Sequence, residues 1–158
     1  MRHILQEQWF LSLDKPFQEL IGTAIRLCER EKTLNSEFQD YSFIVFPAAK
    51  AYEGILKKIF LKLELIDEKT YYGKRFRIGK ALNPDVREQS RDQDWLFDDI
   101  ERLCSTSVSR ELWETWLSSR NRIFHYYPNS AHVINLEQAE EHSIQISNSI
   151  QSLIECQT

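Results

Sequence analysis

The chain has 158 residues, of which 42% are hydrophobic and 28% charged, as is typical of one globular domain with no room for a second. Its four glycines and four prolines are too few for the turns of a β-sandwich or for a glycine-dependent nucleotide-binding fold, so we expect a single all-α domain over residues 1–158. A formal net charge of −4 argues against a protein held on DNA by a basic surface as a whole.

The sequence carries no sign of a membrane span or of a signal peptide. No run approaches ~20 uninterrupted apolar residues, and Gln6–Gln8 stands where a signal peptide would have its apolar run. We therefore expect a cytoplasmic protein with no membrane partner. The cysteines cannot all pair with one another, and none has the CxxC spacing of a redox or zinc site. We predict that all three are reduced and buried: Cys28, Cys104 and Cys156.

Helical periodicity predicts two long helices in the first half of the chain. After a start signal at Asp14 and Pro16, the apolar residues between Phe17 and Cys28 recur at the spacing of one buried helical face. From Val45 to Ile66, apolar residues alternate steps of four and three over about six turns. Pro47 either opens this second helix in its first turn or kinks it, because proline removes one backbone donor.

A polar segment, residues 67–92, follows the second helix and is too long for a simple turn between helices. Its part between Gly73 and Arg91 is rich in basic residues. Two interpretations are open: a solvated, mobile connector, or a segment that binds RNA phosphates. The residues proposed for RNA binding are Lys74, Arg75, Arg77 and Lys80.

Three further helices are predicted in the second half. The third covers about residues 92–104, and the fourth covers about residues 109–120 and ends before Pro128. The last helix starts at Asn135, because Asn135 and Gln138 have the spacing of a capping box. Together these elements predict an antiparallel bundle of four or five helices.

Chemically interesting side chains are concentrated between Leu117 and Pro128. Arg120 follows Trp116 by four residues, so it lies on the same face of the fourth helix, which we expect to point to the interior. Its charge therefore needs a nearby carboxylate or an opening onto a groove. Asn121 and His125 are four residues apart, so the amide can hydrogen-bond the imidazole and orient it. A lone arginine or histidine in such a helix is usually structural, whereas the combination points to a site.

The string from Arg120 to His125 resembles the Arg-x4-6-His signature of the HEPN superfamily (higher eukaryotes and prokaryotes nucleotide-binding), in which a polar residue, commonly asparagine, follows the arginine. The resemblance implies an all-α bundle. Many members of the superfamily are metal-independent ribonucleases of toxin-antitoxin, CRISPR and antiviral systems. It therefore also implies an RNA substrate, a homodimer and a cognate antitoxin protein as a further partner.

A second string, Phe46–Lys58, resembles the corresponding helix in the catalytic domain of RNase LS-type toxins. In that subfamily a basic residue and a glutamate three positions later join the arginine and histidine at the active site. Lys50 and Glu53 reproduce this spacing. Lysine stands where arginine can stand, and it lacks the planar fork that grips a phosphate with two hydrogen bonds.

These residue types suit RNA cleavage without a metal or cofactor. His125 is the proton carrier at neutral pH, and Arg120 stabilises the charge that develops on the phosphorane. Glu53 would orient Arg120 or His125, and Lys50 would attract phosphate. On a straight helix Arg120 and His125 point about 140° apart, so they converge only across a groove such as a dimer would form. The expected products carry 2′,3′-cyclic phosphate and 5′-hydroxyl ends.

Two alternatives stay open. The arrangement of Arg120, His125 and Tyr127 also fits HEPN toxins paired with a minimal nucleotidyltransferase antitoxin, in which the tyrosine is modified with AMP. The chain could instead be a non-catalytic helical adaptor that binds RNA or a protein. The remaining histidines have no metal-ligand spacing, and no serine, cysteine or aspartate stands in the sequence context of a nucleophile.

Overall fold

The computed structural model describes residues 1–126, 128 and 132–157, and all regular structure within them is helical. This confirms the all-α prediction. The α-helices are α1 (Gln8–Leu11), α2 (Lys15–Leu34), α3 (Ser42–Lys62), α4 (Glu68–Tyr72), α5 (Ile78–Ala81), α6 (Phe97–Leu103), α7 (Thr106–Trp116), α8 (Arg122–Phe124) and α9 (Leu136–Glu155). Arg2–Gln6 and Glu88–Ser90 form short 3-10 helices. A π-helical turn, Leu117–Asn121, joins α7 to α8. In the described part of the chain no helix is long and apolar enough to cross a membrane.

Helix α3 lies at the centre of the core, in contact with both α2 and α9. Its side chains Tyr52, Leu56 and Phe60 are completely buried. The Tyr52 hydroxyl donates a hydrogen bond to the carbonyl oxygen of Leu112 in α7 at 2.8 Å, and burial raises the pKa of this phenol. α3 is therefore fixed against three neighbouring helices, so side chains on its remaining face have a defined position.

The long helices confirm the apolar periodicity, with some shifts at their ends. α3 ends at Lys62, before Ile66, because Glu64 adopts a left-handed conformation with φ 57° that breaks the helical path. Pro47 lies inside α3, where it does not open the helix. α7 begins at Thr106, earlier than expected, because the hydroxyl of Ser105 accepts a hydrogen bond from the Val108 amide and caps the helix.

The sequence predicts the start of α9 correctly but not the start of α6. α6 begins at Phe97, later than expected, after a turn in which the Trp95 amide donates to the carbonyl oxygen of Asp92. At α9 the capping box is confirmed: the Gln138 amide donates to Oδ1 of Asn135 at 2.8 Å, and the Asn135 amide donates to Oε1 of Gln138 at 2.9 Å.

Residues 67–92 are not solvated throughout, although most of their side chains are exposed. The segment contains α4 and α5, and it buries Phe76, Ile78, Ala81 and Leu82. The Leu96 amide donates to the carbonyl oxygen of Ala81 at 2.8 Å, which holds the end of α5. At Gly79 the backbone lies directly on Trp116, and a Cβ added there would come within 2.2 Å of the indole ring. This packing places α5 beside the end of α7.

The cysteine prediction is wrong for two of the three residues. Cys104 and Cys156 form a disulfide with a Cα–Cα distance of 5.4 Å, and both are half-buried. Only Cys28 is free and buried as predicted, and burial raises the pKa of its thiol. The partners are 52 residues apart, and they meet because the end of α6 packs near the end of α9. Sequence spacing could not reveal this pairing.

Candidate functional site

One face of α3 outside the core carries a stripe of four side chains. Phe46, Lys50, Glu53 and Lys57 are separated by steps of four, three and four residues, so they lie along one line of the helix surface. Glu53 and Lys57 form an ion pair, with Oε1 and Nζ 3.2 Å apart. We call these four residues the α3 stripe.

The π turn brings Arg120 against this stripe. In a π turn each amide bonds to the carbonyl five residues earlier, which widens the helix and changes the direction of every side chain that follows. Ser119, in the middle of the turn, is completely buried. Its hydroxyl donates to Oε1 of Gln145 at 2.9 Å and lies 3.0 Å from Nδ1 of His142. Both partners belong to α9, so the turn is fastened on one side while Arg120 faces α3 on the other.

Arg120 forms an ion pair with Glu53, and the atoms Nη2 and Oε2 are 3.6 Å apart. Each side chain is 35% exposed. The guanidinium carbon also lies 5.8 Å from the ring centroid of Trp116. Glu53 is therefore the nearby carboxylate that the buried-face position of Arg120 requires. A partly exposed pair of this kind adds only about 0–1 kcal/mol to stability. Its main effect is to hold the guanidinium in place at the surface.

An open cleft of about 340 Å³ lies next to this ion pair. His125 lines it, although it follows the end of α8 and has extended backbone angles, φ −107° and ψ 130°. The π turn and this extended residue replace the straight helix on which the 140° separation was based. As a result, the arginine and histidine border one cleft within a single chain. The cleft is lined by Glu53, Arg77, Ile78, Gly79, Lys80, Trp116, Arg120, Asn121 and His125.

A second cleft, of about 270 Å³, adjoins the first because both share Glu53 and Arg120. Lys50 lines the second cleft, together with two phenylalanines, Phe46 and Phe124. The Arg120–Glu53 ion pair thus separates a part of the site that contains Lys50 from a part that contains His125.

The fold separates the four predicted RNA-binding residues into two pairs. Arg77 and Lys80 line the first cleft, whereas Lys74 and Arg75 line a separate pocket that also contains Asp67 and Asp94. A guanidinium nitrogen of Arg77 donates a hydrogen bond to the carbonyl oxygen of Lys74 at 2.6 Å. This bond holds the Arg77 side chain against the backbone of the segment.

Lys80 forms an ion pair with Asp92, and its hydrogen bond holds the pKa of that carboxyl below the usual range. The clefts are nevertheless rich in positive charge. Arg77, Lys80 and Arg120 border the first cleft and Lys50 the second, while Glu53 is the carboxylate that both share. An anionic ligand is therefore favoured over a cationic one.

The structure brings together Lys50, Glu53, Arg120, Asn121 and His125, although it places Lys50 across the ion pair from His125. Tyr127, the proposed modification site, lies outside the described residues. Among the residues that are described, no group of three His, Cys, Asp or Glu side chains could hold a metal ion.

Sequence reasoning missed several residues that line the two clefts or lie beside them. Lys57 and Phe46 continue the spacing of Lys50 and Glu53 in both directions, so extending that pattern by one helical turn would have found them. Trp116 was assigned to the core, yet it forms a wall of the first cleft. No family model matches the sequence, and neither a curated protein nor a solved structure matches the chain.

Proposed function

We propose that this chain is a metal-independent endoribonuclease with a HEPN-like helical fold, and that RNA is cleaved in the cleft beside the Arg120–Glu53 ion pair. The observation that carries the proposal is that Glu53 of α3 and Arg120 and His125 around α8 line one cleft. The family resemblance assigns these residues to one active site, although they come from two strings that are far apart in the sequence, Phe46–Lys58 and Arg120–His125. The pairing of Arg120 with Glu53 at 3.6 Å supports it further.

The first chemical step is attack of a ribose 2′-hydroxyl on the adjacent phosphorus. The hydroxyl must lose its proton, and His125 is the exposed imidazole in the cleft that can accept it at neutral pH. The new P–O bond forms as the P–O5′ bond breaks, so the products carry a 2′,3′-cyclic phosphate and a 5′-hydroxyl. The leaving 5′-oxygen takes up a proton, which His125 of a second copy supplies in the homodimer that we propose.

Arg120 stabilises the extra negative charge that develops on the phosphorane. A guanidinium is always charged and its donors match phosphate oxygens, so it suits this role. Glu53 and Trp116 hold it from two sides, and it remains 35% exposed toward the cleft. Preorganisation of this kind avoids reorientation during the reaction. Glu53 is therefore a positioning residue, and Lys50 attracts a neighbouring phosphate.

The mechanism is tested with RNA that carries one 2′-deoxy nucleotide at the mapped cleavage position. We expect the unmodified RNA to be cut in excess EDTA with cyclic phosphate ends, and the substituted position to resist cleavage because the nucleophile is missing. Cutting at the 2′-deoxy position, or loss of activity in EDTA that magnesium restores, would contradict the mechanism. If purified protein free of any antitoxin cuts no RNA, the adaptor alternative explains the chain better.

A further inference from the structure

The second cleft contains an aromatic pair that the cleavage mechanism does not use. The ring centroids of Phe46 and Phe124 are 5.7 Å apart, and the ring planes are inclined by 84°. Both rings line the cleft of about 270 Å³ together with Lys50 and Arg120. Phe124 is half-buried, whereas Phe46 is 56% exposed.

The exposure of Phe46 is a local departure from an otherwise buried stretch of α3. The residues on both sides of it, Val45 and Pro47, are buried, as are Ala48 and Ala49. Isolated exposed phenylalanines are common and need no explanation by themselves. Phe46 differs because it borders a cleft whose other side chains include a lysine and an arginine.

An aromatic ring beside cationic groups is the arrangement by which proteins bind single-stranded nucleic acid. The cations contact the phosphates, and an unpaired base stacks on the ring. Lys50 is one helical turn from Phe46, about 6 Å along the axis of α3. Arg120 borders the same cleft. A nucleotide can therefore place its phosphate near these cations while its base reaches Phe46.

We propose that Phe46 and Phe124 form a nucleobase-stacking subsite, which binds an unpaired base next to the phosphate held by Arg120. This proposal rests on the proposed function for its substrate. Stacking does not discriminate strongly between bases, because every base has a π face. Bases inside a duplex are already stacked and paired. The subsite therefore makes the protein prefer single-stranded RNA over duplex RNA without selecting a particular base.

The test measures RNA binding in an H125A background, so that the probe is not cut. Its probes are a single-stranded oligoribonucleotide with one 2-aminopurine and a fully paired hairpin of the same base composition, whose stem is closed by a polyethylene glycol linker in place of loop nucleotides. Phe46→Ala should weaken single-strand binding roughly 5- to 150-fold, the range for loss of one stacked base. It should also abolish the quenching of 2-aminopurine that stacking causes. Phe46→Trp should retain the single-strand affinity and the quenching of 2-aminopurine. The affinity for the hairpin should change little in either variant.

Phe38→Ala is the matched control, because Phe38 is also 56% exposed and lies outside both clefts. The subsite would be overturned if Phe46→Ala bound single-stranded RNA as tightly as the parent protein. It would also be overturned if Phe46→Ala lost as much affinity for the hairpin, or if Phe38→Ala lost as much affinity for the single strand. So would a change in oligomeric state of Phe46→Ala by analytical ultracentrifugation, because the ring would then belong to an interface. Binding that depends on Phe46 in a protein that cuts no RNA would preserve the subsite and remove only the proposed function.

Discussion

Gly79→Ala is expected to destabilise the protein, although alanine favours helices. The added Cβ would lie 2.2 Å from two carbons of the Trp116 ring, so either α5 or the indole must move. Overpacking of this kind costs about 1–3 kcal/mol. The intrinsic gain from replacing a helical glycine by alanine, about 1 kcal/mol, offsets part of this cost. We therefore expect a net loss of about 0–2 kcal/mol, together with weaker RNA binding because Arg77 and Lys80 flank the glycine in the cleft.

Gly22→Ala is the control, because its Cβ would meet the flexible end of Arg26 at 3.2 Å and Cδ2 of Leu5 at 4.0 Å, an ordinary van der Waals contact. This variant should be neutral or more stable by up to about 1 kcal/mol. Stability is measured by urea denaturation of both variants and of the double variant Gly79→Ala with Trp116→Leu. The smaller side chain should relieve the contact, so the two substitutions should couple by about 0.5–3 kcal/mol. A Gly79→Ala protein as stable as Gly22→Ala, with no coupling to residue 116, would refute the packing of α5 on Trp116.

Three further predictions follow from the fold and the clefts. Reduction of the disulfide, which closes a 52-residue separation, should lower the free energy of unfolding by up to about 4 kcal/mol; identical urea curves with and without dithiothreitol would count against it. Burial lowers the pKa of His142 from 6.5, so the native state favours the neutral ring and loses stability as the pH falls below about 6.5. His142→Asn should therefore gain stability relative to wild type between pH 7.5 and 5.5, and a difference that does not vary with pH would exclude this contribution. The double variant R77A/K80A should reduce the slope of log affinity against log salt for single-stranded RNA by about 1.4, whereas K74A/R75A should leave it nearly unchanged; equal effects of the two pairs would contradict the division of the basic segment.

The long helices could be predicted because their evidence is local. Apolar spacing identified α2 and α3, and the capping box of Asn135 located the start of α9. The pairing of Arg120 with a carboxylate could be anticipated, because a charge on an otherwise apolar face requires a partner.

The features that bring the site together depend on contacts between distant segments. The π turn is fastened by the bonds of buried Ser119 to α9, and nothing within residues 117–121 identifies those partners. The position of α5 depends on the absence of a side chain at Gly79 where Trp116 packs. For the same reason, the polar composition of residues 67–92 was misleading: a few buried residues hold the segment to the core.

The rate of RNA cleavage by His125→Ala and Arg120→Ala tests the central claim most directly. Each substitution should slow cleavage by on the order of 10² to 10⁴, because one removes proton transfer and the other removes charge stabilisation. The controls are His3→Ala and Arg122→Ala, which change exposed residues outside the clefts and should cut RNA at the wild-type rate. All four proteins should have the circular dichroism spectrum of the wild type. Cleavage by His125→Ala at the wild-type rate would contradict the assignment of this cleft as a ribonuclease active site.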